Sequence, residues 1–318
     1  MNSLSIVKKL CVYGIGGVGG YFGGKVLDKI GDTLNGYPET YFIARGEHLY
    51  AIVHAGLTVV TPARTIIGKP TLATDDINSI PDPDLVLLCV KSYGLDDALI
   101  SLKPKINKDT VIIPLLNGVD IYERIREHIS DGIILPACVF VGTHIDAPGV
   151  IRQNGGNGKI LFGRDPKHPN HIPESTLEFF KEMEIDFDWM DDPYPAIWGK
   201  YIFIASFGLV TAHTGYTLGE LLNNEESLKS VRSVMNEIQL IATAKGIKLP
   251  DNIIDGSVAK ANNFPPETKT SYQRDIEAKG EKNEGDLFGG AIIKLGEELG
   301  ISVPVTKSLY SDIQRRFG

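Results

Sequence analysis

An apolar run leads directly into a glycine-rich segment near the start of the chain, in LCVYGIGGVGGYFGG at residues 10–24. The run Leu10–Tyr13 is typical of a buried strand, and Val18–Ile30 has the spacing of a helix. The G-x-G-x-x-G pattern joins them, at Gly14, Ile15, Gly16, Gly17, Val18 and Gly19. Its glycines permit a tight turn, a close backbone approach to a pyrophosphate, and close packing of helix on strand. The segment therefore predicts dinucleotide phosphates bound at a helix N-terminus.

Short β-rich runs alternate with helical stretches through the first half of the chain, which is the pattern of a parallel sheet covered by helices. Further strands are predicted at Tyr41–Ala44, Leu85–Val90, Val111–Leu115, Gly132–Val141, Gly149–Gln153 and Lys159–Phe162. Further helices are predicted at Glu47–Ala55, Gly94–Leu102, Ile121–Ile129 and Ser175–Glu184. The fold class expected for this half is α/β, a Rossmann-type doubly wound sheet.

The character of the sequence changes after the breaker-rich segment at residues 191–195, DDPYP. Long helical stretches follow, at Trp198–Thr211, Leu218–Leu222, Glu226–Gly246, Gly289–Leu299 and Val305–Phe317. We therefore expect two domains, a dinucleotide-binding Rossmann-type domain at residues 1–191 and a mainly helical domain at residues 192–318.

Charged and polar residues follow the ends of three predicted strands. Arg45 comes after the second strand, where a carboxylate would bind the ribose 2′-hydroxyl of NAD, and arginine instead suits the 2′-phosphate of NADP. Lys91 and Asn117 follow two later strands, and ligands of open α/β sheets bind at the carboxyl ends of strands. These positions favour NADPH as cofactor. A solvated arginine, an exposed lysine and a turn asparagine are the alternative interpretations.

Composition excludes several classes of protein. The formal net charge of −8 and pI near 5.4 disfavour nucleic-acid binding, which needs a surplus of Lys and Arg. Three cysteines at wide spacing indicate a reducing compartment. We see no secretory signal and no apolar run near the ~20 residues of a membrane span, so we expect a cytoplasmic protein without membrane contact. Its histidines are scattered without partners at ligand spacing, and no metal site is expected.

The chain resembles the ketopantoate reductases at a series of segments that follow one another in the family's order. These segments are GIGGVGGYFGG at 14–24, ARGEHL at 44–49, VKSYGLDDAL at 90–99, LLNGVD at 115–120, PGVIRQNGGNGKILFG at 148–163, IWGKY at 197–201 and KTSYQRDIEAKGEKNEGDLFGG at 269–290. The resemblance implies reduction of 2-dehydropantoate, a 2-keto acid, to pantoate with NADPH in pantothenate biosynthesis.

The resemblance also implies residue roles in the helical domain, which would bind the substrate and carry the catalytic group. Lys200 matches the family's catalytic lysine, which would stabilise the developing oxyanion and protonate it. Glu284 matches a glutamate that binds a substrate or cofactor hydroxyl, and Ser271 matches a serine that holds the substrate carboxylate. We expect Asn117 to contribute to binding of both the substrate and the cofactor.

One departure from the family concerns two asparagines that hydrogen-bond the substrate on the helix after the lysine. Ile204 and Gly208 stand at these positions and cannot make those bonds, although Ser206 offers a hydroxyl nearby. The departure leaves open a paralogous reductase of another keto or imino acid. A non-catalytic NADPH-binding regulator is a separate alternative to ketopantoate reduction. The sequence leaves open whether the chain forms a homodimer, and how an insertion at Gly31–Thr40 affects cofactor access.

Overall fold

The computed structural model of the protein describes residues 7–31, 38–278 and 282–317. The chain divides into two units, one made of Met1–Leu116 with Ile121–Pro193 and the other of Asn117–Asp120 with Tyr194–Gly318. The main division therefore falls within the breaker-rich segment at residues 191–195. The predicted insertion at Gly31–Thr40 lies mostly outside the described residues.

The described strands, in chain order, are β1 (Lys9–Tyr13), β2 (Glu39–Ile43), β3 (Leu57–Val60), β4 (Thr65–Gly68), β5 (Leu72–Thr74), β6 (Leu85–Leu88), β7 (Val111–Pro114), β8 (Ile133–Ile134), β9 (Ala137–Ala147), β10 (Val150–Gly163) and β11 (Phe187–Met190). One sheet of the first unit is parallel, with the order β5-β2-β1-β6-β7-β8. The chain passes from β1 to β2 on one side and reaches β6 on the other, so the strand order reverses between β1 and β6. This is the Rossmann arrangement, and it confirms the predicted fold class.

The central strands are buried on both faces, as parallel strands between helix layers must be. Leu85–Leu88 is apolar at every position and fully buried. The helices of this unit are α1 (Gly17–Gly31), α2 (Gly46–Ala55), α3 (Leu95–Leu102), α4 (Ile121–His128) and α5 (Glu174–Glu182).

Cys11, on β1, is also buried, and burial raises the pKa of its thiol to about 12. It therefore serves as a small apolar residue of the core.

The second sheet of this unit has the order β11-β10-β3-β4, with β9 paired antiparallel to β10. Two predicted strands, Gly149–Gln153 and Lys159–Phe162, are one continuous strand here, β10. The glycines between the two predicted strands do not end the strand. They accommodate register shifts along the β9–β10 pair, and Gly156 and Gly158 have positive φ. The predicted strand Gly132–Val141 is in turn divided into β8 and β9.

The second unit is helical, as predicted. Its helices are α6 (Tyr194–Thr214), α7 (Leu218–Leu222), α8 (Glu225–Ala244), α9 (Ile253–Ala261), α10 (Ser271–Glu277), α11 (Ala291–Leu299) and α12 (Pro304–Phe317). The sequence patterns did not predict α9 and α10. Helix α6 is long and apolar enough to cross a membrane, but 67% of its apolar window is buried inside the protein. Most of α6 is therefore packed against other residues of the protein.

Candidate active site

The glycine-rich turn between β1 and α1 is fixed by contacts with the neighbouring strands. Gly14 has φ +94°, and its amide and that of Ile15 donate to the carbonyl of Ile43 at 3.0 and 3.2 Å. A Cβ at Gly19 would lie 2.1 Å from the carbonyl oxygen of Gly14. Both glycines are therefore required by the turn itself, one for its backbone angle and one for the close approach of α1.

A cavity of about 650 Å³ opens at the carboxyl ends of β1, β2 and β6, where a doubly wound sheet binds its ligands. Of the predicted cofactor residues, five line it: Gly14, Ile15, Gly16, Arg45 and Lys91. A Cβ built at Gly16 meets nothing within 4 Å, so the backbone here faces open space. Gly17, Val18 and Gly19 are not among the lining residues and belong to the first turns of α1.

Two cations, Arg45 and Lys91, line this cavity together with the glycine-rich turn that precedes α1. Arg45 is exposed, and its guanidinium has no hydrogen bond or ion pair with any residue that the structure describes. Lys91 is exposed and follows the last residue of β6 by three positions. The dipole of α1, the open backbone at Gly16 and the exposed guanidinium of Arg45 together fit a ligand that carries phosphates, such as a dinucleotide.

His48 also lines the cavity, and the sequence patterns did not predict it as a site residue. Its Nδ1 accepts the backbone N–H of Gly149 at 2.9 Å, so the ring nitrogen that can carry the proton is Nε2. Burial lowers the pKa of His48 below its ordinary value of 6.5, which keeps the ring neutral at pH 7. The only sequence signal was its position three residues after Arg45, since the Gly149 contact spans 101 residues of chain.

In the second unit, the structure brings two predicted site residues into direct contact. The ammonium of Lys200 on α6 donates to Oδ1 of Asn117 at 2.7 Å, across 83 residues of sequence. Both side chains are half-buried. The segment Asn117–Asp120 follows β7 but belongs to the second unit, which is how an asparagine from a strand end reaches the helix of the lysine. The pair places an oriented ammonium group where it can act as a proton donor.

The remaining predicted substrate residues differ in their surroundings. Glu284 is buried, with 4% of its surface exposed, whereas Ser271 is exposed at the first position of α10. Ser206 is fully buried, and its hydroxyl has no hydrogen-bond partner among the described residues. On a helix, six residues place it about 120° around from Lys200. Its role in substrate binding stays a prediction.

Ile204 and Gly208 occupy successive turns of α6 after Lys200. Ile204 is half-buried and Gly208 is buried. A Cβ at Gly208 would lie 3.7 Å from Cβ of Tyr272, which is ordinary van der Waals distance. Neither position therefore offers a side-chain hydrogen bond beside Lys200. Among the residues that the structure describes, no cluster of three metal-ligating side chains occurs.

Comparison with known proteins places both halves of the chain in one family. The family model described as ketopantoate reductase PanE/ApbA matches residues 10–167, and its C-terminal counterpart matches residues 193–316. The uncharacterized oxidoreductase YkpB of Bacillus subtilis is 26% identical over 306 residues, which cover 96% of this chain and 98% of that protein. The 2-dehydropantoate 2-reductase of Streptococcus pyogenes is 26% identical over 272 residues, covering 83% and 85%.

Solved structures of similar proteins share the architecture over nearly the whole chain. The crystal structure of 2-dehydropantoate 2-reductase from Porphyromonas gingivalis superposes with a TM-score of 0.80 at 28% identity, covering 97% of this chain and 99% of that one. A structure of D-mandelate dehydrogenase with NADH and anilino(oxo)acetate has a TM-score of 0.84 at 19% identity, covering 97% and 98%. The second likeness is one of fold.

Proposed function

Because this chain belongs to the ketopantoate reductase family, whose models match both of its halves, we propose that it reduces a 2-keto acid to the 2-hydroxy acid with NADPH. The substrate proposed first is 2-dehydropantoate, which would place the enzyme in pantothenate biosynthesis in the cytoplasm. Relatives named 2-dehydropantoate 2-reductase support this choice.

The observation that carries the proposal is the contact between Lys200 and Asn117, at 2.7 Å. An ammonium group has three donors, and Asn117 engages one of them, which fixes the direction of the others. A ketone that gains a hydride becomes an alkoxide, and an ammonium beside it stabilises that charge and then donates a proton. Lys200 is the proposed general acid, and Asn117 holds its Nζ in place. NADPH, when bound, supplies the hydride.

NADPH is proposed rather than NADH because of Arg45. Arg45 lines the cavity and is exposed, and its guanidinium makes no hydrogen bond or ion pair with the described residues, so it is available to a ligand. A 2′-phosphate would form an ion pair with this guanidinium, whereas a 2′-hydroxyl carries no charge to pair with it. Glu284 and Ser271 are proposed to bind the substrate in the second unit, and Gly14–Gly19 with Lys91 to bind the dinucleotide in the first.

A second candidate is reduction of another keto acid, or an imino acid, in place of 2-dehydropantoate. It rests on Ile204 and Gly208, which leave the helix face after Lys200 without the polar groups that would bond a substrate hydroxyl. A site without such partners discriminates weakly in favour of a hydroxylated substrate and accepts an apolar one.

A spectrophotometric screen tests the proposal. The purified protein is assayed with NADPH and with NADH against a panel of 2-keto acids that includes 2-dehydropantoate and substrates with apolar side chains. Turnover with NADPH supports the proposed reaction, and the preferred acid decides between the two candidates. Tight NADPH binding without turnover of any panel member would instead indicate a nucleotide-binding regulator. Growth rescue of a pantothenate-requiring strain gives an independent check on the first candidate.

A further inference from the structure

The residue after Lys200 on α6 is a buried tyrosine whose hydroxyl reaches a distant turn. Tyr201 is 1% exposed, and its hydroxyl donates to the carbonyl of Leu287 at 2.7 Å. Leu287 belongs to a π-helical turn, Asp286–Gly290, which begins two residues after Glu284. Tyr201 therefore connects the helix that carries Lys200 to the turn that follows Glu284.

The hydrogen bonding of this turn explains why a side-chain donor is needed. The amide of Ala291 donates to the carbonyl of Asp286, five residues back, whereas in an α-helix it would donate to Leu287. The Tyr201 hydroxyl supplies the hydrogen bond that the Leu287 carbonyl loses by this shift. The carbonyl of Glu284 in turn accepts the amide of Leu287 at 3.0 Å. The register of the turn therefore determines where the backbone of Glu284 lies.

Packing around the turn leaves it little freedom to adjust in place. A Cβ at Gly285 would lie 2.6 Å from the hydroxyl of Tyr272, and one at Gly289 would lie 2.5 Å from the ring of Tyr310. Two aromatic side chains thus pack directly against the backbone of this segment. Because this space is filled, a change in the hydrogen bonding of the turn is accommodated by a change of register.

We propose that Tyr201 is a positioning residue for Glu284. Its hydroxyl stabilises the π-helical register, and this register places the Glu284 carboxylate for its role in binding a substrate or cofactor hydroxyl. Without the hydroxyl, a buried carbonyl at Leu287 lacks its donor, and the turn gains by returning to the α-helical pattern, with Ala291 as donor. Such a return rotates the residues before the turn by about 100° relative to α11. The inference rests on the role proposed for Glu284.

The test compares two variants that each remove one buried hydroxyl beside the same turn. Tyr201→Phe deletes the donor to Leu287. Tyr272→Phe is the matched control, since the Tyr272 hydroxyl is buried but has no hydrogen-bond partner among the described residues. With the best 2-keto acid of the screen, Tyr201→Phe is expected to lower kcat/KM by about fivefold to hundredfold, the range for a lost donor to a buried group. Tyr272→Phe should change kcat/KM by less than about twofold, and the Kd for NADPH should change by less than about twofold in both variants.

A double-mutant cycle with Glu284→Gln shows whether Tyr201 acts through Glu284. If it does, Tyr201→Phe has little further effect once the carboxylate is removed, because the two changes affect one interaction. Additive losses would overturn the proposal. Wild-type rates in Glu284→Gln would overturn it too, together with the role of Glu284. A loss in Glu284→Gln alone, with Tyr201→Phe equal to the Tyr272→Phe control, would reject Tyr201 and leave the proposed function intact.

Hydrogen exchange gives a readout that needs no activity. In Tyr201→Phe, amides of the peptide that spans residues 284–295 should exchange about tenfold faster or with a changed pattern, while α8 stays protected as in the wild type. Unchanged exchange in this peptide would contradict the proposed register change, even for a protein that turns over no substrate.

Discussion

Lys200 and Asn117 are joined by a hydrogen bond of 2.7 Å between Nζ and Oδ1, although 83 residues separate them in the chain. The bond fixes the direction of the flexible four-carbon side chain of Lys200. If Lys200 is the general acid, Asn117 therefore has a kinetic role as well.

Asn117→Ala should lower kcat by about tenfold to hundredfold, because a hydrogen bond to a charged group contributes roughly 1.5–3 kcal/mol. The protein should remain folded, since the side chain is only half-buried. Initial rates at saturating substrate and NADPH check this. Asn107→Ala, a change of the same type at an exposed residue that precedes β7, is the control and should keep the wild-type rate. Equal rates in the two variants would remove Asn117 from the mechanism.

Arg45→Ala should weaken binding of NADPH far more than binding of NADH. The lost contact is to the 2′-phosphate, and a charge-assisted bond of about 1.5–3 kcal/mol corresponds to one to two decades in Kd. Fluorescence titration with both cofactors measures the difference. Arg64→Ala serves as the matched control, because Arg64 is exposed and pairs with Asp28 outside the cavity. A loss of equal size for both cofactors would mean that Arg45 does not contact the 2′-phosphate.

His48 should make stability depend on pH. Its pKa in the folded protein is lowered by burial, so the unfolded chain binds the proton more readily than the folded one. The stability that the neutral ring contributes is therefore present above its ordinary pKa of 6.5 and is lost as pH falls below it. Thermal unfolding without cofactor between about pH 8 and pH 5 should show a larger decrease in Tm for the wild type than for His48→Gln. Parallel pH curves for the two proteins would exclude this linkage.

Ile204→Asn should change substrate preference more than cofactor affinity. An amide side chain at position 204 would supply a donor and an acceptor that isoleucine lacks, which favours a hydroxylated keto acid. The ratio of kcat/KM for 2-dehydropantoate to that for an apolar 2-keto acid should rise by about tenfold or more. Ile202→Val, at a fully buried position on the same helix, controls for general effects on packing. A constant ratio in folded Ile204→Asn would place this residue outside the substrate site.

The glycine-rich turn was predictable because its requirements are local. The backbone angle of Gly14 and the close approach at Gly19 both follow from a strand that enters a helix within six residues. Contacts between distant residues were not predictable in this way. The bond from Gly149 to His48 spans 101 residues and that from Tyr201 to Leu287 spans 86, and no periodicity encodes either.

Glycines end a strand in one place and lie within a strand in another, and the local sequence pattern could not distinguish the two cases. Gly14 turns the chain, whereas Gly156 and Gly158 stay within β10 although they also have positive φ. The difference lies in the partner strand, because β9 pairs with β10 on both sides of the irregularity. Prediction from sequence therefore divided one long strand into two.

The pH–rate profile of the wild type beside Lys200→Ala is the sharpest test of Lys200 as general acid, with Lys245→Ala as an exposed control in the same unit. Loss of a general acid should lower kcat by about 10²–10⁴-fold, while the Kd for NADPH stays within about twofold. The wild-type rate should fall at alkaline pH as the ammonium loses its proton, and this limb should be absent from Lys200→Ala. A folded Lys200→Ala protein that reduces its best substrate at near the wild-type rate, with the alkaline limb intact, would contradict the proposed mechanism.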